Sequence, residues 1–237
     1  DAVNRFYGHP DIPIGIRAGN PVRTGFNHTK ILADNLPHQL SYQDATEVTS
    51  LYRKILASQE DNSVVLVSVG PLANILQLLQ SGGDEHSRLS GKVLLHQKVK
   101  KMVVMAGKYP SGEDEWNLNG NMPGVSQQVF EQIHLPVVFS GFELGVQIKT
   151  GLVLNKIDPQ HPLYLGFHYF SKHAPWMKIN YQGQIMDNAS YDQTAVLFAV
   201  KNGTGEWWSL ENKGYNQIGT NGNNIWVDQP HADTDHS

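Results

Sequence analysis

Four stretches of the chain are apolar without alternation: residues 12–16 (IPIGI), 64–69 (VVLVSV), 102–106 (MVVMA) and 135–139 (LPVVF). Continuous rather than alternating apolarity means that both faces of a strand are covered, the mark of central strands in a parallel sheet. Helical spacing lies between these stretches. Val48, Leu51, Tyr52 and Ile55 fall at i, i+3, i+4 and i+7, with Ser41 and Asp44 predicting a capping-box start. Leu72, Ile75, Leu76 and Leu79 repeat that spacing after Pro71, a residue suited to a first helical turn. Val125, Val129, Phe130 and Ile133 predict a third helix. Strand and helix alternate, so the expected fold class is α/β, an open and mainly parallel sheet flanked by helices. Beyond residue 150 the rhythm changes. Helices are expected over 163–170 and 193–200, and residues 201–237, broken by Gly203, Gly205, Gly214, Gly219 and Gly222, read as a short-stranded extension of the same single domain.

Composition narrows the class. With 237 residues, 40% of them hydrophobic, the chain can bury a sizeable core, and it is too apolar to be disordered. Zero cysteines exclude disulfide scaffolds, thiolate nucleophiles and Cys-built zinc sites. A net charge of −4 and a pI near 6.3 argue against a nucleic-acid partner. The longest apolar run, 64–69, is far too short to cross a bilayer, so no membrane partner is expected. The opening DAVNRFYG reads as the end of a helix without its beginning, so we expect a partial chain, an interior stretch of a longer protein.

Candidate chemistry gathers at strand ends, where parallel α/β sheets bind ligands. Gly70, Gly107 and Gly141 each follow an apolar run, and glycine there allows either a tight turn or close approach of a ligand. The loop over 108–121 sets Glu113, Asp114, Glu115, Asn117, Asn119 and Asn121 around Trp116. Carboxylate and carboxamide groups two residues apart project to one side of an extended segment and suit a pair of sugar hydroxyls. Asp192 stands in the first turn of an apolar helix, where a carboxylate also serves simply as a cap. Trp176, Trp207, Trp208 and Trp226 could stack on a base or sugar, although most tryptophans only pack. His231, Asp233, Asp235 and His236 combine metal-ligating types, but in an unpatterned terminal segment that reads as a solvated tail. Asn27, Asn188 and Asn202 open N-x-Ser/Thr sequons that carry no information on secretion.

Taken in order, VVLVSVGPLANI (64–75), MVVMAG (102–107), EWN (115–117) and YDQTAV (191–196) resemble the landmarks of the inosine–uridine-preferring nucleoside hydrolase family, in its more distant branch. The opening VNRFYGHPDIPI (3–14) is similar to the helix and strand that precede them, so the likeness spans about residues 1 to 200. The resemblance implies a hydrolase that cleaves the N-glycosidic bond of purine or pyrimidine ribonucleosides with a calcium-held water. In that family the ion lowers the pKa of the water, and a carboxylate takes its proton.

By matched position, the resemblance makes the Asp192 carboxylate and the Val69 main-chain carbonyl metal ligands. It makes Glu115 and Asn117 ribose-binding, with Trp116, Phe142 and Glu143 lining the substrate pocket. Tyr191 occupies the place where the family often has a leaving-group histidine, which makes it the candidate proton donor. The family's Asp-rich metal loop has no counterpart here, so the general base is expected upstream of Asp1 and Ca2+ binding to this stretch is expected to be weak or absent. A nucleoside or ribose is the implied small-molecule partner, and homo-oligomers are common in the family. The alternative is a non-catalytic ribose- or nucleoside-binding protein that kept the fold and lost the metal site.

Overall fold

A computed structural model of the protein describes residues 1–17, 28–203, 205–229 and 235–237; Asn27, His231 and Asp233 lie outside them. The first elements are α1 (Ala2–Phe6), β1 (Gly15–Ile16), α2 (Lys30–Asn35), β2 (Thr46–Glu47), α3 (Val48–Ala57), β3 (Val64–Ser68) and α4 (Ala73–Gln80). Then come α5 (Gly91–Lys98), β4 (Val99–Met105), β5 (Ser111–Gly112), α6 (Trp116–Asn119), α7 (Val125–Gln132), β6 (Pro136–Ser140) and α8 (Phe142–Gln147). The remainder holds β7 (Lys149–Thr150), α9 (Pro162–His173), β8 (Asn188–Ala189), α10 (Tyr191–Val200), β9 (Tyr215–Ile218), β10 (Asn224–Val227) and β11 (Asp235–His236). These elements fall into two compact units. One comprises Asp1–Val48 with Lys149–Ala189, the other Thr49–Ile148 with Ser190–Ser237.

The larger unit is built on a parallel sheet of strand order β11-β6-β4-β3. Three of the four continuous apolar stretches supply β3, β4 and β6, and both faces of the sheet are covered, as the lack of alternation predicts. Along β4, Met102 and Val104 point to a cluster formed with Leu72, Ile75, Leu78, Leu94, Leu95, Val129 and Ile133 of the flanking helices and their ends. Val103 and Met105 point to the other face, where Ala195 and Phe198 of α10 close it. Register aligns the strand ends: Met105 pairs with Ser140 and Ser68 with Val104, so Val69, Ala106 and Gly141 leave the sheet along one rim. A second, antiparallel sheet of order β5-β10-β9 stands beside it.

Four expectations are corrected. Residues 12–16 do not enter the central sheet; Gly15 and Ile16 pair in parallel with Thr46 and Glu47 in the smaller unit. Pro13, which has no N–H to donate, interrupts that run, and only Gly15 and Ile16 pair. No helix starts at Ser41. Its hydroxyl bonds the Asp44 carboxylate in a turn, and helix α3 begins at Val48. The buried face of α3 is also rotated, since Leu56 is buried and Ile55 exposed. Arg53 turns inward there to pair with Asp84 at 2.8 Å and to donate to Ser81 Oγ and to the carbonyls of Ser87 and Leu89. Finally, His236 is not in a solvated tail. It is buried, its Nδ1 accepts the Asn216 N–H at 2.9 Å, and its ring packs edge-on to Phe139, while the backbone of β11 pairs with β6.

In the smaller unit, Asp1 anchors α1. Its carboxylate pairs with Arg5 at 3.0 Å and accepts the backbone N–H groups of Gln39 and Leu40. Helix α9 carries stacked pairs, Tyr164 with His168 and Tyr169 with His173, and Trp176 packs against Phe170. Among the described residues no helix is long and apolar enough to cross a membrane.

Candidate functional site

The candidate residues all belong to the larger unit, and its sheet rim organises them. Glu115 is the N-cap of α6. Its Oε1 accepts the Asn117 N–H at 3.1 Å, and its Oε2 accepts those of Leu118 at 3.2 Å and Gly107 at 2.9 Å. The side chain thus ties a four-residue helix to the end of β4, and only 5% of the residue is exposed. Asn117 points the same way and donates through Nδ2 to the Met105 carbonyl at 2.9 Å. Trp116 between them faces outward, 48% exposed. A carboxylate and a carboxamide two residues apart do project together, but chiefly toward the strand end.

Asp192 reaches the same rim from α10. The first turn of that helix is pinned to β6 through the Ser140 and Thr194 hydroxyls, 2.8 Å apart, while Thr194 also donates to the Tyr191 carbonyl. The Ser190 N–H bonds the carbonyls of Gly145 and Ile148, which fixes the start of α10 against α8. Asp192 retains solvent contact, and a helix N-terminus favours its charged form. Its carboxyl nevertheless sits above the ordinary 3.8, first because packed protein desolvates it and second because Glu115 lies near enough to repel its charge. Two carboxylates therefore share one neighbourhood, and among the described residues no cationic side chain pairs with either.

Tyr191 stacks on Phe142 with ring centroids 5.1 Å apart and 24° between planes. Gly145 makes room for it, since a Cβ there would run into the Tyr191 ring and lie 2.7 Å from its Cα. Burial raises the Tyr191 phenol further above 10.0, which weakens it as an acid and leaves it a neutral hydrogen-bond donor. Phe142 is partly exposed, its N–H bonds the Gly107 carbonyl at 2.9 Å, and the Lys108 ammonium lies 5.4 Å from its ring centre. Glu143 faces elsewhere. It accepts the Tyr109 N–H at 3.0 Å and lines a cleft with Tyr109 and Phe139. Val69 directly follows β3 on the same rim, with an exposed side chain.

Sequence reasoning missed the residues that hold this rim. Asn224, 1% exposed, clamps Lys108 by accepting its N–H at 3.0 Å and donating to its carbonyl at 2.9 Å. Asn224 also donates to Asn216 Oδ1, and Asn216 donates to the Tyr109 hydroxyl at 2.9 Å. Gly107 fits this network with φ +82°, because a Cβ would meet the Tyr109 hydroxyl at 2.9 Å. The only signal was an Asn inside each of two very short strands. Of the other tryptophans, Trp208 packs on the core beside α10, Trp207 lies exposed under Lys201, and Trp226 lines the cleft.

A calcium shell needs six to eight oxygen ligands. Asp192 and the Val69 carbonyl supply two of the expected donors, and the Glu115 carboxylate is already engaged by three N–H groups. Among the described residues no three His, Asp or Glu side chains converge as a metal group. The donors described do not fit a calcium centre.

No family model matches this chain, and no curated protein matches it. Among solved structures it is similar to a plant nucleoside hydrolase, the PpNRh1 enzyme, with a TM-score of 0.65 at 14% identity, over 96% of this chain and 74% of that one. The fold is nucleoside hydrolase-like: α/β, with a parallel sheet flanked by helices.

Proposed function

We propose that this chain supplies the ribose-recognising part of an N-ribosyl hydrolase, a protein that cleaves the N-glycosidic bond of ribonucleosides. The carrying observation is a pair of neighbouring carboxylates at one sheet rim, with the exposed Asp192 raised by partial desolvation and by the charge of Glu115. Such a pair is unfavourable at rest and becomes favourable beside a positive charge. Departure of a nucleobase puts that charge on the sugar, as an oxocarbenium-like transition state. The fold likeness supports the reading, as do the chemical types at the rim: Asp192 accepts from ribose hydroxyls, Asn117 can donate or accept, and Trp116 and Phe142 offer exposed aromatic faces. Tyr191 would donate a hydrogen bond to the departing base in its neutral form.

Because the donors described do not complete a metal shell, no step is assigned to an ion, and the base that would activate water is not among the residues named. The second reading is a ribonucleoside-binding protein without turnover. Calorimetric titration with inosine and uridine, with and without calcium, combined with a reducing-sugar assay, separates the two. Binding with release of ribose supports hydrolysis, and binding without release supports the binder. Absence of binding by either nucleoside to wild type, or undiminished binding to Asp192→Asn, refutes both.

A further inference from the structure

The sheet face opposite α10 carries a concavity. Phe139 pairs in register with Val104 and packs on that face, and beside it opens a cleft of about 460 Å³. That is within the range of small-molecule sites, about 300–1,000 Å³. Its apolar wall is aromatic: the Tyr109 ring lies 6.1 Å from Phe139 and 6.0 Å from Trp226, the latter edge-on. Its charged lining is of one sign. Glu143, Glu211 and Asp228 line the cleft, and no Lys, Arg or His is among the described residues that do.

Two of the three carboxylates are held by backbone groups and keep lone pairs free. Glu143 accepts the Tyr109 N–H at 3.0 Å, and Glu211 accepts the Lys213 N–H at 3.2 Å. The negative field registers on the wall itself. The Tyr109 phenol is pushed well above its ordinary value, first by burial and then by the charges of Glu143 and Glu115.

Aromatic faces attract organic cations, and flanking carboxylates complement their charge while rejecting anions. We propose that this cleft is a binding site for a small organic ammonium ion carrying a flat aromatic body. The flat body lies against Tyr109, Phe139 and Trp226, and the ammonium group sits among Glu143, Glu211 and Asp228. The site stands apart from the ribose reading, because Asp192 belongs to the other face.

The test is calorimetric titration of the whole chain with tryptamine, its neutral isostere indole-3-ethanol, and the anion indole-3-acetate. Tryptamine is expected to bind saturably and to weaken with added salt, with the alcohol at least about ten-fold weaker and the acid not binding. The double variant Glu211→Gln, Asp228→Asn changes two exposed side chains and is expected to weaken tryptamine at least about ten-fold while its near-ultraviolet circular dichroism stays unchanged. Asp192→Asn, which disables the ribose rim, is expected to leave tryptamine binding intact. No saturable tryptamine binding, alcohol binding within about two-fold of the amine, or loss of tryptamine binding in Asp192→Asn overturns the proposal.

Discussion

Replacing Glu115 by alanine tests the central feature of the rim, a carboxylate that is both a structural cap and one member of a repelling pair. The substitution strips the acceptor from the N–H groups of Asn117, Leu118 and Gly107. Loss of a helix N-cap costs about 0.5–2 kcal/mol and covers the first two. The Gly107 N–H at the strand end is buried with its residue, and a buried donor left unsatisfied costs about 1–3 kcal/mol. The expected loss is therefore about 1.5–5 kcal/mol, or roughly 3–20 °C in Tm for a chain of this size. Part of it is returned, because removing the Glu115 charge relieves Asp192. Glu115→Gln keeps one acceptor oxygen, so it should cost less than alanine while lowering the Asp192 carboxyl toward 3.8 to the same degree. Urea unfolding followed by circular dichroism gives the stability, and a carboxyl-carbon NMR titration gives the Asp192 midpoint. A cost below about 1 kcal/mol for alanine, together with an unmoved Asp192 midpoint in both variants, would refute the geometry.

Asp192→Asn should stabilise the chain near neutral pH while it abolishes ribonucleoside binding. The native carboxyl lies above the unfolded 3.8, so the folded state holds the extra proton just above pH 3.8 and wild-type stability falls as pH rises through that window. The advantage of Asn should vanish below it, as thermal melts across pH 3–7 will reveal. Asp84 has the opposite sign. Arg53 holds it at about 2, so it stabilises above 3.8, and that contribution disappears as pH falls toward 2; Arg53→Met should flatten this acid dependence in denaturant melts. Gly145→Ala should displace Tyr191 and the start of α10, costing about 1–3 kcal/mol as overpacking and reducing nucleoside affinity in parallel, measured by urea unfolding and calorimetry. Calcium titrated alone should give little or no heat, and micromolar binding would mean that further ligands reach Asp192 and Val69.

The α/β class was legible because strands covered on both faces must be apolar at successive positions, and 64–67, 102–105 and 136–139 are. Helices α4 and α7 were legible for the same reason at period 3.6, since one face of each meets the core. Helix α5 was not foreseen. Besides Gly91, only Leu94 and Leu95 are buried in it, too few apolar side chains to impose a period, although Ser90 does cap it. The rim was readable in part. Asp192 opens a helix and Glu115 precedes Asn117 in any reading of the string, but nothing local says that Glu115 turns inward to cap α6 or that Asp192 comes close to it. Asn216, Asn224 and His236 were unreadable, because short strands carry no periodicity and their partners lie 8 to 116 residues away in sequence.

By itself the order of residues determined the three central strands of a parallel α/β sheet and the helices α4 and α7 beside them, which end of that sheet carries its polar loops, and which side chains stand there. Only the tertiary structure decided how those side chains are used: Glu115 as an inward cap, Asp192 as its repelled neighbour, and Glu143 turned to a separate aromatic cleft. Burial pattern is a local property, written at fixed intervals along the chain. The environment of a charge is set by what the fold brings within a few ångströms of it, and no interval in the sequence records that.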